Sequence, residues 1–202
     1  MANKDHSLDT PIITAALQEF LNKGFEKASL RTIAANANVT VGAIYTRYKT
    51  KDILFCSLVQ PLIEKISKTF TALKEDYSSD DPIADPQQFI ETMQTESNMI
   101  LHLLFDDYQQ ALLLLCKSTG SSMEHFFDII VEKKIEESVK FFENAGIESM
   151  DIDVLKLLIN SQFHTYYQII ENGYDLETAR KILNAAIIYH TGGWVTLFKQ
   201  TF

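Results

Sequence analysis

Glycine and proline are scarce in this chain, with 7 and 4 residues among 202. So thin a supply of turn formers argues against many short strands joined by tight hairpins, which need such residues at each reversal. Alternating Val/Thr-rich runs are missing too, so an all-α fold is expected. Cysteine is scarcer still. Cys56 and Cys116 have neither metal nor redox spacing, and they read as buried thiols of a cytoplasmic protein. No apolar run approaches the roughly 20 residues that span a bilayer, and the opening MANKDHSLDT lacks the apolar centre of a secretion signal. Signatures of catalysis are absent as well. None of the five histidines completes a Glu-x-x-His step, and there is no His-Glu-x-x-His element, Cys-x-x-Cys pair or Gly-rich phosphate loop. The expectation is therefore a protein with no catalytic residues, no metal and no cofactor.

What is present is concentrated between residues 29 and 51, SLRTIAANANVTVGAIYTRYKTK. Ser29 suits a helix N-cap, and Leu30, Ile33, Ala34 and Ala37 share one helical face. Asn38 tolerates the left-handed backbone of a sharp helix stop. Thr40 then caps a second short helix with Ile44 and Tyr48 on its inner side. Val41, Gly42 and Ala43 leave the start of that helix thin, as a helix entering the major groove of DNA must be. The pattern is a helix-turn-helix. Local charge agrees: residues 23 to 51 hold six basic side chains (Lys23, Lys27, Arg31, Arg47, Lys49, Lys51) against Glu26, a net of +5. The whole chain carries −9, so the remainder carries −14. A basic patch supplies phosphate attraction, and an acidic body helps to orient the approach.

Residues 12 to 60 resemble the N-terminal domain of the TetR family of transcriptional regulators. The likeness rests on IITAALQEFLNKGF with its Gly24-Phe25 step, on Ile33-Ala34, on Gly42 to Tyr45, and on Tyr48 followed by Lys51-Asp52. Two positions depart from the family pattern. Asn38 replaces the usual Gly, and Val41 stands where Lys, Arg, Pro or Gln are frequent, which removes one base-edge contact. The resemblance implies that Val41, Gly42, Ala43 and Thr46 face base edges, through methyl contacts and shape readout. Thr40, Tyr45, Arg47 and Lys51 would hold phosphates, and Arg31 would reach backbone or a guanine edge. Tyr48 occupies a position that the family uses for packing.

The expected organisation is a helix-turn-helix domain over 1–52 and a larger helical ligand-binding and dimerisation domain over 53–202. A first helix runs from a Thr10 cap to a stop at Gly24, with Ile13, Ala16, Leu17 and Phe20 inward. A fourth begins at Thr50. An acidic loop is expected over 75–86, and further helices over 86–104, 106–118, 122–145, 151–172 and 175–200. The last two are apolar over more than one face, and the excess is read as facing a second subunit. Leu183, Ile187, His190, Gly193 and Trp194 are the expected interface. Gly192-Gly193 permits either close approach of a partner backbone or a local kink. The family resemblance implies pairing through the last two helices and a palindromic operator.

Aromatic and methionine residues among the later helices suit a pocket for a hydrophobic or aromatic small molecule, with Phe163, His164 and Tyr167 as the expected ligand-facing set. The functional expectation is a ligand-responsive regulator, a repressor by family resemblance, that binds duplex DNA as a homodimer without membrane association. The alternative is a helical small-molecule-binding protein with no DNA role.

Overall fold

The computed structural model describes residues 9–76, 86–144 and 151–198. Among them the chain is helical throughout, with α1 Asp9–Lys27, α2 Leu30–Asn36, α3 Val41–Arg47, α4 Lys51–Asp76, α5 Pro86–Asp106, α6 Tyr108–Cys116, α7 Phe126–Asn144, α8 Ile152–Glu171 and α9 Leu176–Phe198. The all-α expectation holds. The acidic loop expected over 75–86 falls mostly on 77–85, outside the described residues. Packing divides the chain into two compact units that are not contiguous in sequence. One joins residues up to Glu64 with Asp107–Phe126, and the other joins Lys65–Asp106 with the chain from Phe127 onward.

In the first unit, α1 presents Ile12, Ala16 and Phe20 inward. Ile13 and Leu17 are only half-buried, so the buried stripe is rotated by one residue from that expected. Gly24 interrupts the helical backbone of α1, where the stop was expected. It bends the helix, with φ 70 and ψ 166, and the chain continues to Lys27. This left-handed step is glycine's. It turns Phe25 inward, where its ring centroid lies 6.0 Å from that of Phe20 and 5.3 Å from that of Phe55. The Phe25 amide donates to the carbonyl of Lys117 at 2.8 Å, so the segment around α6 is hydrogen-bonded to the end of α1. Leu54, Phe55, Leu58 and Val59 of α4 with Ala111, Leu113 and Leu114 of α6 complete this core.

The second unit packs α9 against α5 and α8. Its centre holds Leu101 and Leu104 from α5, Leu155, Ile159, Phe163, Tyr166 and Ile170 from α8, and Ala179, Leu183, Ile187 and Trp194 from α9. The Tyr166 hydroxyl is held far above its ordinary pKa by burial and bonds Ser97. α9 passes through Gly192 and Gly193 without interruption. Neither cysteine is fully buried; both are half-buried thiols. Burial pushes the Cys56 thiol above its ordinary pKa. Among the described residues, no single helix is long and apolar enough to cross a membrane.

Candidate nucleic-acid interface

α2 and α3 are seven residues each, too short to persist alone in water. Tertiary contacts fix them. Ile33 and Ala34 anchor α2, and Ile44 anchors α3. Asn38 takes the left-handed turn between them at φ 53, and the Val39 amide returns to the Ala34 carbonyl at 2.9 Å. Thr40 caps α3, its hydroxyl accepting from the Ala43 amide at 3.1 Å. Ser29 has the extended backbone of an N-cap, but its side chain makes no cap bond. Its own amide donates instead to Oε1 of Glu19 at 3.1 Å. These links hold the two helices in place with one face of α3 open to solvent.

On that face Gly42, Tyr45 and Thr46 are exposed, with Val41 and Ala43 half-buried beside them. Tyr45 is 50% exposed, so it is not a core aromatic. The Thr46 hydroxyl donates to the Gly42 carbonyl at 2.9 Å. A Cβ at Gly42 would meet only the Thr40 hydroxyl, at an ordinary 3.7 Å. Nothing among the described residues therefore requires glycine there, and the bare backbone leaves clearance on the outside.

The basic side chains divide into two groups. Arg31 and Lys49 are exposed. Arg47 is not: its side chain is 9% exposed, and Nε donates to Oδ1 of Asp9 at 2.7 Å. Its Nη1 also donates to the Ala43 carbonyl at 3.4 Å. Lys51 places Nζ 2.8, 3.1 and 3.3 Å from the carbonyls of Phe25, Glu26 and Ala28, and 4.5 Å from the centre of the Phe25 ring. An ammonium has three protons, and these carbonyls occupy all three. Lys51 thus caps the carbonyls where α1 ends, a favourable site for a cation. A phosphate contact by Lys51 would require giving up one of these bonds.

The Lys51→Met variant keeps the stem and removes the charge. It is expected to cost about 1.5–3 kcal/mol, the range for hydrogen bonds to a charged group. Thermal unfolding would then shift down by several degrees, at about 2–4 °C per kcal/mol for a chain of this size. An unchanged melting temperature would show that the ammonium is solvated instead.

Tyr48 ends α3 half-buried, as a packing residue should be. Burial and then the Asp9 carboxylate raise its hydroxyl pKa.

The other expected site residues lie in the second unit. Phe163 is buried in the core, against Phe127 and Tyr166 at 6.4 and 6.1 Å between centroids. His164 instead is exposed and stacks on Tyr167 at 5.2 Å, and the Tyr167 hydroxyl donates to Glu171 at 2.9 Å. The three do not line one site: Phe163 is committed to the core, His164 is exposed about 100° around α8 from it, and Tyr167 lies between them, half-buried. On α9, Leu183, Ile187 and Trp194 are buried within their own unit, so they pack the protomer and do not line its surface. His190 is half-buried, and that burial lowers its pKa. The most exposed apolar positions of these helices are Ile188 and Tyr189 at 59% and 78%, with Leu157 of α8 at 70%. Gly192 and Gly193 lie open as well, with no atom of the described residues within 4 Å of a Cβ at either.

Three structural acids escape a reading of the sequence. Asp9 holds Arg47, Glu19 holds the start of α2, and Asp52 accepts from both the amide and hydroxyl of Ser122 at 2.8 Å. Glu19 is the one with a visible signal, an acid set among Ala15, Ala16 and Phe20 on an apolar stripe. Among the described residues no group of three or more His, Cys, Asp or Glu side chains is placed to hold a metal ion.

The architecture defines the class: an all-helical protein with an N-terminal helix-turn-helix and a larger helical body. Residues 12–58 match the sequence profile of the bacterial regulatory proteins of the tetR family. The fold is similar to that of solved transcriptional regulators. FadR from Bacillus subtilis, determined with stearoyl-CoA, is 17% identical over 92% of this chain and 98% of its own, with TM-score 0.61. NalD, the secondary repressor of the MexAB-OprM multidrug efflux pump in Pseudomonas aeruginosa, is 18% identical over 92% and 95%, with TM-score 0.62. SCO3833 of Streptomyces coelicolor A3 is 17% identical over 96% and 93%, with TM-score 0.61. Residues 12–58 thus carry the sequence pattern of the tetR-family DNA-binding domain, and the chain as a whole shares the fold of these solved regulators.

Proposed function

We propose that the protein is a ligand-responsive repressor that binds a palindromic operator as a homodimer and is released by a small hydrophobic or aromatic effector. The observation that carries this reading is the open face of α3, where Val41, Gly42, Ala43 and Thr46 offer small side chains beside a glycine that the fold itself does not need. Such a surface fits closely against base edges and reads them by methyl contact and shape. Thr40, Tyr45 and Arg31 contact phosphates around it. Arg47 and Lys51 act chiefly as positioning residues, through Asp9 and the end of α1, and lend positive potential to the bound phosphates. DNA contact belongs to residues 1–52, ligand and dimer contact to 53–202, and the setting is the cytoplasm.

FadR, with its stearoyl-CoA, and NalD, a repressor, support the repressor and effector parts of the reading. Pairing is assigned to the exposed positions of the last two helices: Ile188, Tyr189, Gly192 and Gly193 of α9 with Leu157 of α8. His190 stands at their edge. Two open glycines permit helices of two protomers to approach closely, and apolar side chains this exposed are covered in a dimer.

Sedimentation of the full chain is expected to show a species of twice the chain mass, and nuclease protection a symmetric footprint. Ile188→Glu is expected to dissociate the dimer at least tenfold more readily and to weaken the footprint in parallel. A chain that stays dimeric with Glu at 188 would move the interface elsewhere. A monomer with a full symmetric footprint would remove the requirement for pairing.

A further inference from the structure

A groove of about 850 Å³ lies in the second unit, lined by Lys65, Lys68 and Thr69 of α4 and by Thr95, Asn98, Met99, His102, Leu103 and Asp106 of α5. Its volume is in the range of sites that take a drug-sized molecule. We propose that it binds an amphiphilic oxyanion, a carboxylate or phosphate head with an apolar tail, bearing an N–H or O–H donor next to the head. The proposal deepens the effector-responsive reading above by giving the effector a place and a chemical class.

Three features on the groove wall correspond to three features of the ligand. The first is charge. Lys65 and Lys68 stand three residues apart on one face of α4. Arg180 of α9 adds a guanidinium behind His102, with Nη2 3.0 Å from the imidazole Nε2. A guanidinium only donates, so that nitrogen accepts and the ring proton sits on Nδ1, a further donor. Asp106, one turn beyond His102, is the single acidic side chain among the described residues of the lining. In a chain of net charge −9, three cations at one groove mark a site that favours an anion.

The second feature is an unmet acceptor. Asn98 donates through Nδ2 to the Gln94 carbonyl at 2.8 Å and to Oδ1 of Asn184 at 3.4 Å, which fixes the orientation of its amide. Its Oδ1 is then buried with no hydrogen-bond partner among the described residues. A buried acceptor left unmet is unfavourable, and a ligand N–H or O–H would satisfy it. The third feature is apolar. Met99 is 46% exposed and Leu103 half-buried, a pliable surface against which a short alkyl chain can lie.

N-decanoylglycine carries all three features: a carboxylate, an amide N–H two bonds from it, and an alkyl tail. Decanoate lacks the donor, and N-decanoylglycinamide lacks the charge. Calorimetric titration of the full chain, without DNA, is expected to rank N-decanoylglycine at least tenfold tighter than the glycinamide and several-fold tighter than decanoate. Lys68→Glu, at an exposed helix position, is expected to weaken N-decanoylglycine at least tenfold while leaving the glycinamide and the melting temperature unchanged. Equal affinity for the charged and neutral probes would overturn the proposal, as would N-decanoylglycine binding indifferent to Lys68→Glu. Since no DNA is present, either result would leave the operator reading untouched, and a failure to bind operator would leave the groove standing.

Discussion

Thr46→Glu is expected to lower affinity for operator DNA about a hundredfold and to leave the fold intact. Thr46 is exposed on α3, and its one hydrogen bond is to a carbonyl of its own helix, that of Gly42. Glutamate is the better helix former by a few tenths of a kcal/mol, so losing that bond has little effect on stability. On DNA, however, the carboxylate would face base-edge acceptors and the phosphates beside them. Placing like charges together in a bound interface costs several kcal/mol. About 3 kcal/mol corresponds to roughly a hundredfold, at 1.4 kcal/mol for each factor of ten. Fluorescence anisotropy of labelled operator, with a melting curve of the same sample, measures both quantities. A loss below threefold with an unchanged melting temperature would take Thr46 out of the interface.

Trp194→Ala is expected to destabilise each protomer by about 3–5 kcal/mol, the usual cost of truncating a buried aromatic. Trp194 is 8% exposed within a single chain, on the same α9 face as Leu183, Ile187 and the fully buried Thr191. It belongs to the packing of α9 in its own unit, so its loss leaves a cavity whether or not a partner is present. The melting temperature should fall by about 10 °C, at 2–4 °C per kcal/mol, and by the same amount at low and high protein concentration. Ile188→Glu should behave oppositely, with an effect that depends on concentration because it acts on pairing. A Trp194→Ala protein that melts normally but no longer dimerises would contradict the burial argument.

The helix-turn-helix was legible because it is written in neighbours. The Thr40 cap, the left-handed Asn38 and the inward Ile33, Ala34 and Ile44 lie within a dozen residues and act through local rules. The roles of Arg47 and Lys51 were not legible, since their partners are 38 and about 25 residues away and meet them only in the folded unit. The first-helix stripe was misplaced by one residue because Ile12 and Ile13 are equally apolar. α9 shows the same difficulty more strongly. Apolar residues cover most of its circumference, so periodicity cannot phase it, and Ile187 and Ile188 sit about 100° apart with opposite environments. Gly24 signalled an interruption but not its form, a bend that seats Phe25 on Phe55. The placement of α6 with the N-terminal helices carries no sequence mark, because it arises from contacts over more than 80 residues of chain.

The most direct test of the account is binding of the purified full chain to its own upstream intergenic DNA, followed by anisotropy across a salt series. The account predicts tight, sequence-selective binding, with log affinity falling steeply against log salt as several phosphates are neutralised. Lys51→Met should lower that slope by less than one unit, because its ammonium is spent on the carbonyls of α1. Weak binding, indifferent to sequence and flat in salt, would contradict the assignment of α3 as a reader of DNA.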